Sequence, residues 1–112
     1  MASFCEINIK EGMPTSAEAL RYLGEACERL KREKYKCLAV IHGYGSTGKG
    51  GVIAKKARSW LKAQEKNGKL KRVIFGEDFE LFNFEALRLK GICPELQDYF
   101  GGHNHGVTIV EL

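Results

Sequence analysis

The stretch Gly43-Tyr-Gly-Ser-Thr-Gly-Lys-Gly50 follows an apolar run, Cys37-Leu-Ala-Val-Ile-His42, and precedes a segment with helical spacing. Glycine frees backbone N–H groups to converge on an anion, and a helix N-terminus with a lysine adds positive potential. The chemistry on offer is therefore phosphate binding, by Gly43, Tyr44, Gly45, Ser46, Thr47, Gly48 and Lys49. The pattern stops one residue short of the nucleotide-hydrolysing G-x-x-x-x-G-K-[ST] loop, because Gly50 stands where a hydroxyl would hold magnesium. With 112 residues there is also little room for the rest of such a domain, and nucleotide hydrolysis is set aside.

Acid–base and metal chemistry have a second set of candidates. His42 ends the apolar run, Glu77 and Asp78 follow a later one, and His103 and His105 flank Asn104 in a polar loop. If these converge, they offer imidazole and carboxylate ligands for a divalent metal that activates water, with His42 as a general acid or base. The plainer reading of the H-x-H pair is loop polarity or hydrogen bonding to the glycine loop, and that of His42 is a bond that fixes the loop.

Charge gives these residues a context. The formal net charge is +4, but residues 49–72 carry nine basic and one acidic side chain, whereas residues 73–112 carry two basic and seven acidic ones. A local block of +8 attracts polyanions even where the whole chain is only mildly basic. Lys55, Lys56, Arg58 and Lys62 in that block are the candidate phosphate contacts beyond the loop. The four cysteines are widely spaced with no C-x-x-C pair, so zinc-finger and thioredoxin chemistry have no support, and they are expected reduced and mostly buried. No apolar run reaches the length of a membrane span, and the first residues lack the pattern of a secretory signal, so no membrane partner and a cytoplasmic address are expected.

The elements that must position these groups follow from periodicity. Phe4–Ile9 alternates as a strand. Thr15 or Ser16 caps a helix, with Glu18 completing a capping box and Leu20, Leu23, Cys27 and Leu30 forming its buried stripe. Cys37–His42 reads as a central strand, Val52–Lys66 as a helix with Ile53, Ala57, Trp60 and Leu61 inward, and Leu70–Phe75 as a third strand. Residues 76–100 hold short helices near 83–89 and 94–100, and Gly106–Leu112 is a final β-branched strand. Phe75, Phe79, Phe82 and Phe84 are expected in the core, and Tyr44, Tyr99 and Phe100 exposed for base stacking. The whole chain, 1–112, is a single α/β domain: a two-layer α/β sandwich with a four-stranded mixed sheet. With strands one to three parallel and the last antiparallel, Lys10, His42, the glycine loop, Glu77–Asp78 and the loop at 103–105 share one sheet edge, where open α/β sheets take ligands.

The residues Ile41-His42-Gly43-Tyr44-Gly45, the basic helix after them, and the closing Gly106-Val-Thr-Ile-Val-Glu-Leu112 together resemble the Smr (small MutS-related) domain, with its H-G-x-G motif and its terminal G-[AV]-T-x-V-E-[LV] strand. The resemblance spans nearly the whole chain. It implies a fold similar to the C-terminal domain of translation initiation factor three, nucleic-acid binding, and in several members nicking endonuclease activity. The family's first strand ends in L-D-L-H-G, with functional Asp and His; here Asn8 stands at the Asp position and Lys10 at the His position. Asn is neither a general base nor an anionic ligand, whereas Lys10 is a cation suited to phosphate. The expected function is therefore DNA or RNA binding, with His42 and Lys10 as candidate catalytic residues of a hydrolase that nicks nucleic acid. The alternative is a non-catalytic protein-interaction module using the acidic 76–100 segment.

Overall fold

In the computed structural model, residues 3–43, 48–102 and 104–112 are described, with 48–50 as backbone only. The expectations placed on Tyr44, Gly45, Ser46, Thr47, His103 and the Lys49 side chain lie outside these residues. The element order is β1 (Phe4–Asn8), α1 (Ser16–Arg32), β2 (Cys37–Ile41), α2 (Gly48–Lys66), β3 (Arg72–Phe75), a 3-10 turn (Gly76–Asp78), α3 (Phe84–Ile92), a second 3-10 segment (Pro94–Tyr99) and β4 (Val107–Glu111). The four strands form one sheet in the order β1-β2-β4-β3. β1 runs parallel to β2, and β4 is antiparallel to both β2 and β3, so the first three strands point the same way and end at the same edge.

Alternation along the strands sorts the core onto two faces. Leu38, Val40, Val73 and Val110 pack under α1 and α2 with Leu23, Leu30, Ile53, Ala57 and Leu61. Cys37, Ala39, Ile74 and Ile109 face the other way, against Phe79, Ala86, Leu89, Cys93 and Leu96. The sandwich of long helices on a sheet thus carries a thin additional cover of short helices, which explains why β2 and β4 are each buried at four of their five positions. α1 starts as its sequence predicts: Thr15 Oγ1 accepts from Glu18 N–H at 3.1 Å, and Glu18 Oε1 accepts from Thr15 N–H at 2.8 Å. It ends where Lys34 takes a left-handed conformation, φ 68°. Leu20 is only half-buried, at the margin of the predicted stripe, where Ala19 and Ala26 are fully buried instead.

The later aromatics divide differently from their expectation. Phe79 is fully buried and Phe75 half-buried, but Phe82 and Phe84 are 88% and 86% exposed, beside Leu81 at 61%. Residues 79–83 form a turn that leaves Phe82 and Phe84 outside the core filled by Phe79. Tyr99 and Phe100 are not stacking platforms either: the Tyr99 hydroxyl donates to Glu6, its ring lies 6.0 Å from Phe4, and Phe100 packs edge-on to Phe79 at 5.7 Å. All four cysteines are free thiols; Cys27, Cys37 and Cys93 are buried and Cys5 half-buried. Among the described residues no helix is long and apolar enough to cross a membrane.

Candidate functional site

The carboxyl ends of β1, β2 and β3 and the start of β4 form the edge that the sequence singles out. At its centre His42 is fully buried. Its Nδ1 is 2.8 Å from the Gly43 carbonyl oxygen and its Nε2 2.8 Å from Thr108 Oγ1. A carbonyl can only accept, so Nδ1 carries the proton and Nε2 accepts from the Thr108 hydroxyl. Burial holds the imidazole below its usual pKa, against the opposing pull of the Gly43 carbonyl, which keeps the ring neutral. The backbone repeats the connection: His42 N–H and Gly43 N–H both donate to the Gly106 carbonyl, at 2.9 and 3.1 Å. The two segments read separately in the sequence, His42-Gly43 and Gly106-Val107-Thr108, are thus locked to each other. Both imidazole nitrogens are engaged inside the protein, and in this arrangement His42 joins the end of β2 to the start of β4 as a latch.

Lys10 arrives from β1. The Asn8 side chain accepts from Lys10 N–H at 3.0 Å, making the turn that ends the strand, and the Lys10 side chain is exposed. Gly43 takes φ 84°, and a Cβ there would stand 3.0 Å from Lys10 Cδ, so the lysine stem lies directly across this glycine. Lys10, His42 and Gly43 are therefore brought together. The Asn8 carboxamide has a backbone role, and the ammonium of Lys10 is the group available to an anion.

On the β3 side, Gly76 is the pivot. A Cβ there would fall 1.8 Å from the Asn104 carbonyl oxygen, so only glycine lets the 3-10 turn sit against the loop before β4. Glu77 follows and forms an ion pair with Arg58 of α2. Burial alone would raise the Glu77 carboxyl, but the Arg58 guanidinium beside it holds it below the usual carboxylate range. Arg58 also donates to the His105 carbonyl at 3.3 Å and lies 4.2 Å over the Phe75 ring. Lys62 donates to the Val73 carbonyl at 2.9 Å while Glu65 accepts from Val73 N–H at 2.7 Å, so α2 caps the outer side of edge strand β3.

These contacts distinguish the basic residues of the expected phosphate set from one another. Arg58 is half-buried in its pair with Glu77, and Lys62, though exposed, donates to the Val73 carbonyl, whereas Lys55 and Lys56 stand exposed on α2 without a bond to the sheet, Lys56 with only a 3.4 Å contact to Ser16 Oγ. They bear on the metal candidates too, of which His103 lies outside the described residues. Glu77 is engaged by Arg58, His42 is sealed, Asp78 and His105 are exposed, and among the described residues no three His, Cys, Asp or Glu side chains come together as a ligand group. The sequence missed Thr108, whose signal was a hydroxyl in an otherwise apolar buried strand; a fully buried polar side chain needs a partner.

Such an arrangement defines a small open α/β domain whose ligand edge is pinned by a histidine–threonine latch. The sequence profile of the Smr domain matches residues 11–74, more than half of the chain, and the chain belongs to this family. The fold is similar to the crystal structure of the Smr domain of Thermus thermophilus MutS2, with a TM-score of 0.58 and 19% identity over 96% of this chain and 95% of that one. Comparison with curated proteins finds no match. The Smr family is associated with nucleic-acid binding and nicking.

Proposed function

We propose that this domain binds DNA or RNA through the latched edge and the exposed face of α2. The observation that carries the reading is the exposure of Lys55 and Lys56 on α2 beside an edge where Lys10 lies across Gly43. Three ammonium groups, of Lys10, Lys55 and Lys56, face solvent there, as suits contact with phosphates. Arg58 supports the site indirectly, since its pair with Glu77 and its bond to His105 tie α2 to the loop before β4. His42 joins the end of β2 to β4 through Thr108. Binding in the cytoplasm is part of the same proposal.

Contacts with phosphate release counterions, each steepening the logarithmic salt dependence of affinity by about 0.7–0.9. Fluorescence anisotropy of labelled DNA and RNA across a salt series tests the reading. The expected result is binding with a steep negative slope that Lys10→Ala/Lys55→Ala/Lys56→Ala reduces by roughly two to three. Absence of binding at low salt, or a slope unchanged in the triple variant, overturns it.

A further inference from the structure

Basic side chains also gather at the opposite end of the helix layer. Lys31 lies in the last turn of α1, Lys34 and Lys36 follow it, Lys66 ends α2, and Lys69 and Lys71 follow that. All six are exposed. They come from two distant stretches of sequence, yet Lys31 Nζ donates to the Lys69 carbonyl at 2.6 Å, which fastens the end of α1 to the turn after α2. The left-handed residues Lys34 (φ 68°) and Gly68 (φ 79°) make the two turns that gather the group.

Cations in the last turn of a helix are accounted for by the helix dipole, which explains Lys31 and Lys66. It does not explain Lys34, Lys36, Lys69 and Lys71, which lie beyond the helices. The acids nearby do not cancel them: Glu33 pairs with Arg29 at 3.5 Å, Glu65 serves Val73, Lys62 and Arg72, and Glu111, whose backbone carbonyl accepts from Lys71 N–H, pairs with Arg88 at 2.7 Å. Glu25 and Glu28 line the groove between α1 and α2, a cavity of about 830 Å³ that ends at Lys31 and Lys69.

α2 joins the two ends. Its 19 residues span about 28 Å at 1.5 Å per residue, and its exposed positions include Lys55, Lys56, Lys62 and Lys66 with no aromatic side chain among the described ones. A face of this composition follows a phosphate backbone without stacking on bases, as suits a stiff duplex rather than an unpaired strand. At roughly 3.4 Å per base pair the span of α2 covers about 8 base pairs, and the lysines just beyond its end extend it.

We propose that the far-end lysines are a second phosphate-contact surface, and that the domain lies along about 8–10 base pairs of duplex with α2 as its track. This rests on the nucleic-acid reading above. The test compares hairpins of one loop sequence with stems of about 5 and about 14 base pairs, as DNA and as RNA; at roughly 3.4 Å per pair only the longer stem reaches both ends. Wild-type protein should bind the long stem at least tenfold more tightly and with a steeper salt slope. Lys34→Ala/Lys36→Ala/Lys69→Ala/Lys71→Ala, with its melting temperature checked, should lose that advantage and keep wild-type affinity for the short stem. Equal slopes on both stems, or an unchanged long-stem slope in the quadruple variant, overturn the second surface while leaving the first standing; binding to neither stem overturns both.

Discussion

Removing the Thr108 hydroxyl tests the latch most directly. Thr108→Val keeps the β-branched shape at a position with no solvent exposure, but leaves His42 Nε2, 2.8 Å away, without a donor. An unsatisfied buried acceptor costs about 1–3 kcal/mol. For a domain near this size each kcal/mol shifts the melting temperature by about 4–8 °C, so a fall of at least about 4 °C is expected. The diagnostic is coupling. In a His42→Ala background the hydroxyl has no imidazole to serve, and adding Thr108→Val should cost much less than it does alone. The double-mutant cycle, read by urea titration of the four proteins, should show an interaction of about 1 kcal/mol or more. Additive losses within about 0.5 kcal/mol would mean that the two groups do not work as a pair, and the latch would have to be abandoned.

Three further outcomes follow from the same geometry. Because His42 is held below its unfolded value of about 6.5, the unfolded chain binds more protons between the two values; its contribution is complete above about pH 6.5 and is lost as pH falls through the folded value. Melting temperature should therefore drop on acidification below about pH 6.5, and a His42→Gln protein with the same profile as wild type would refute this assignment. Glu77→Gln should lower stability by less than about 1 kcal/mol in a urea titration, because both partners of its pair with Arg58 are about a quarter exposed. Gly76→Ala should abolish folding as judged by circular dichroism, since its Cβ would overlap the Asn104 carbonyl, whereas Phe82→Ser should leave stability within about 0.5 kcal/mol.

What the sequence could reveal depended on whether a signal was local. The capping box at Thr15 and Glu18, the apolar run of β2 and the alternation of β4 are written in neighbouring residues, and each forms where it was read. The shared edge also followed, because strand direction is constrained by the crossovers. The placement of β4 between β2 and β3 was not legible, since nothing local specifies which strands a buried run will pair. Phe82 and Phe84 were misread for the same reason: their type suits a core, and only the turn at 79–83 shows that Phe79 alone enters it. At the site, the types of His42 and Arg58 were informative and their partners were not. Arg58 lies 19 residues from Glu77, and His42 lies 66 from Thr108.

The position of β4 has a consequence for how the molecule matures. β2 and β3 each take their shared neighbour from a segment that follows both in the chain, so until residues 107–111 arrive the sheet has a gap in its middle rather than a frayed border. The same segment carries Thr108 and follows the Gly106 carbonyl, so a chain synthesised only as far as β3 has neither a closed sheet nor a fixed His42. Completion of the fold and assembly of the ligand edge are then one event. An incomplete chain would carry its lysines without the scaffold that arranges them.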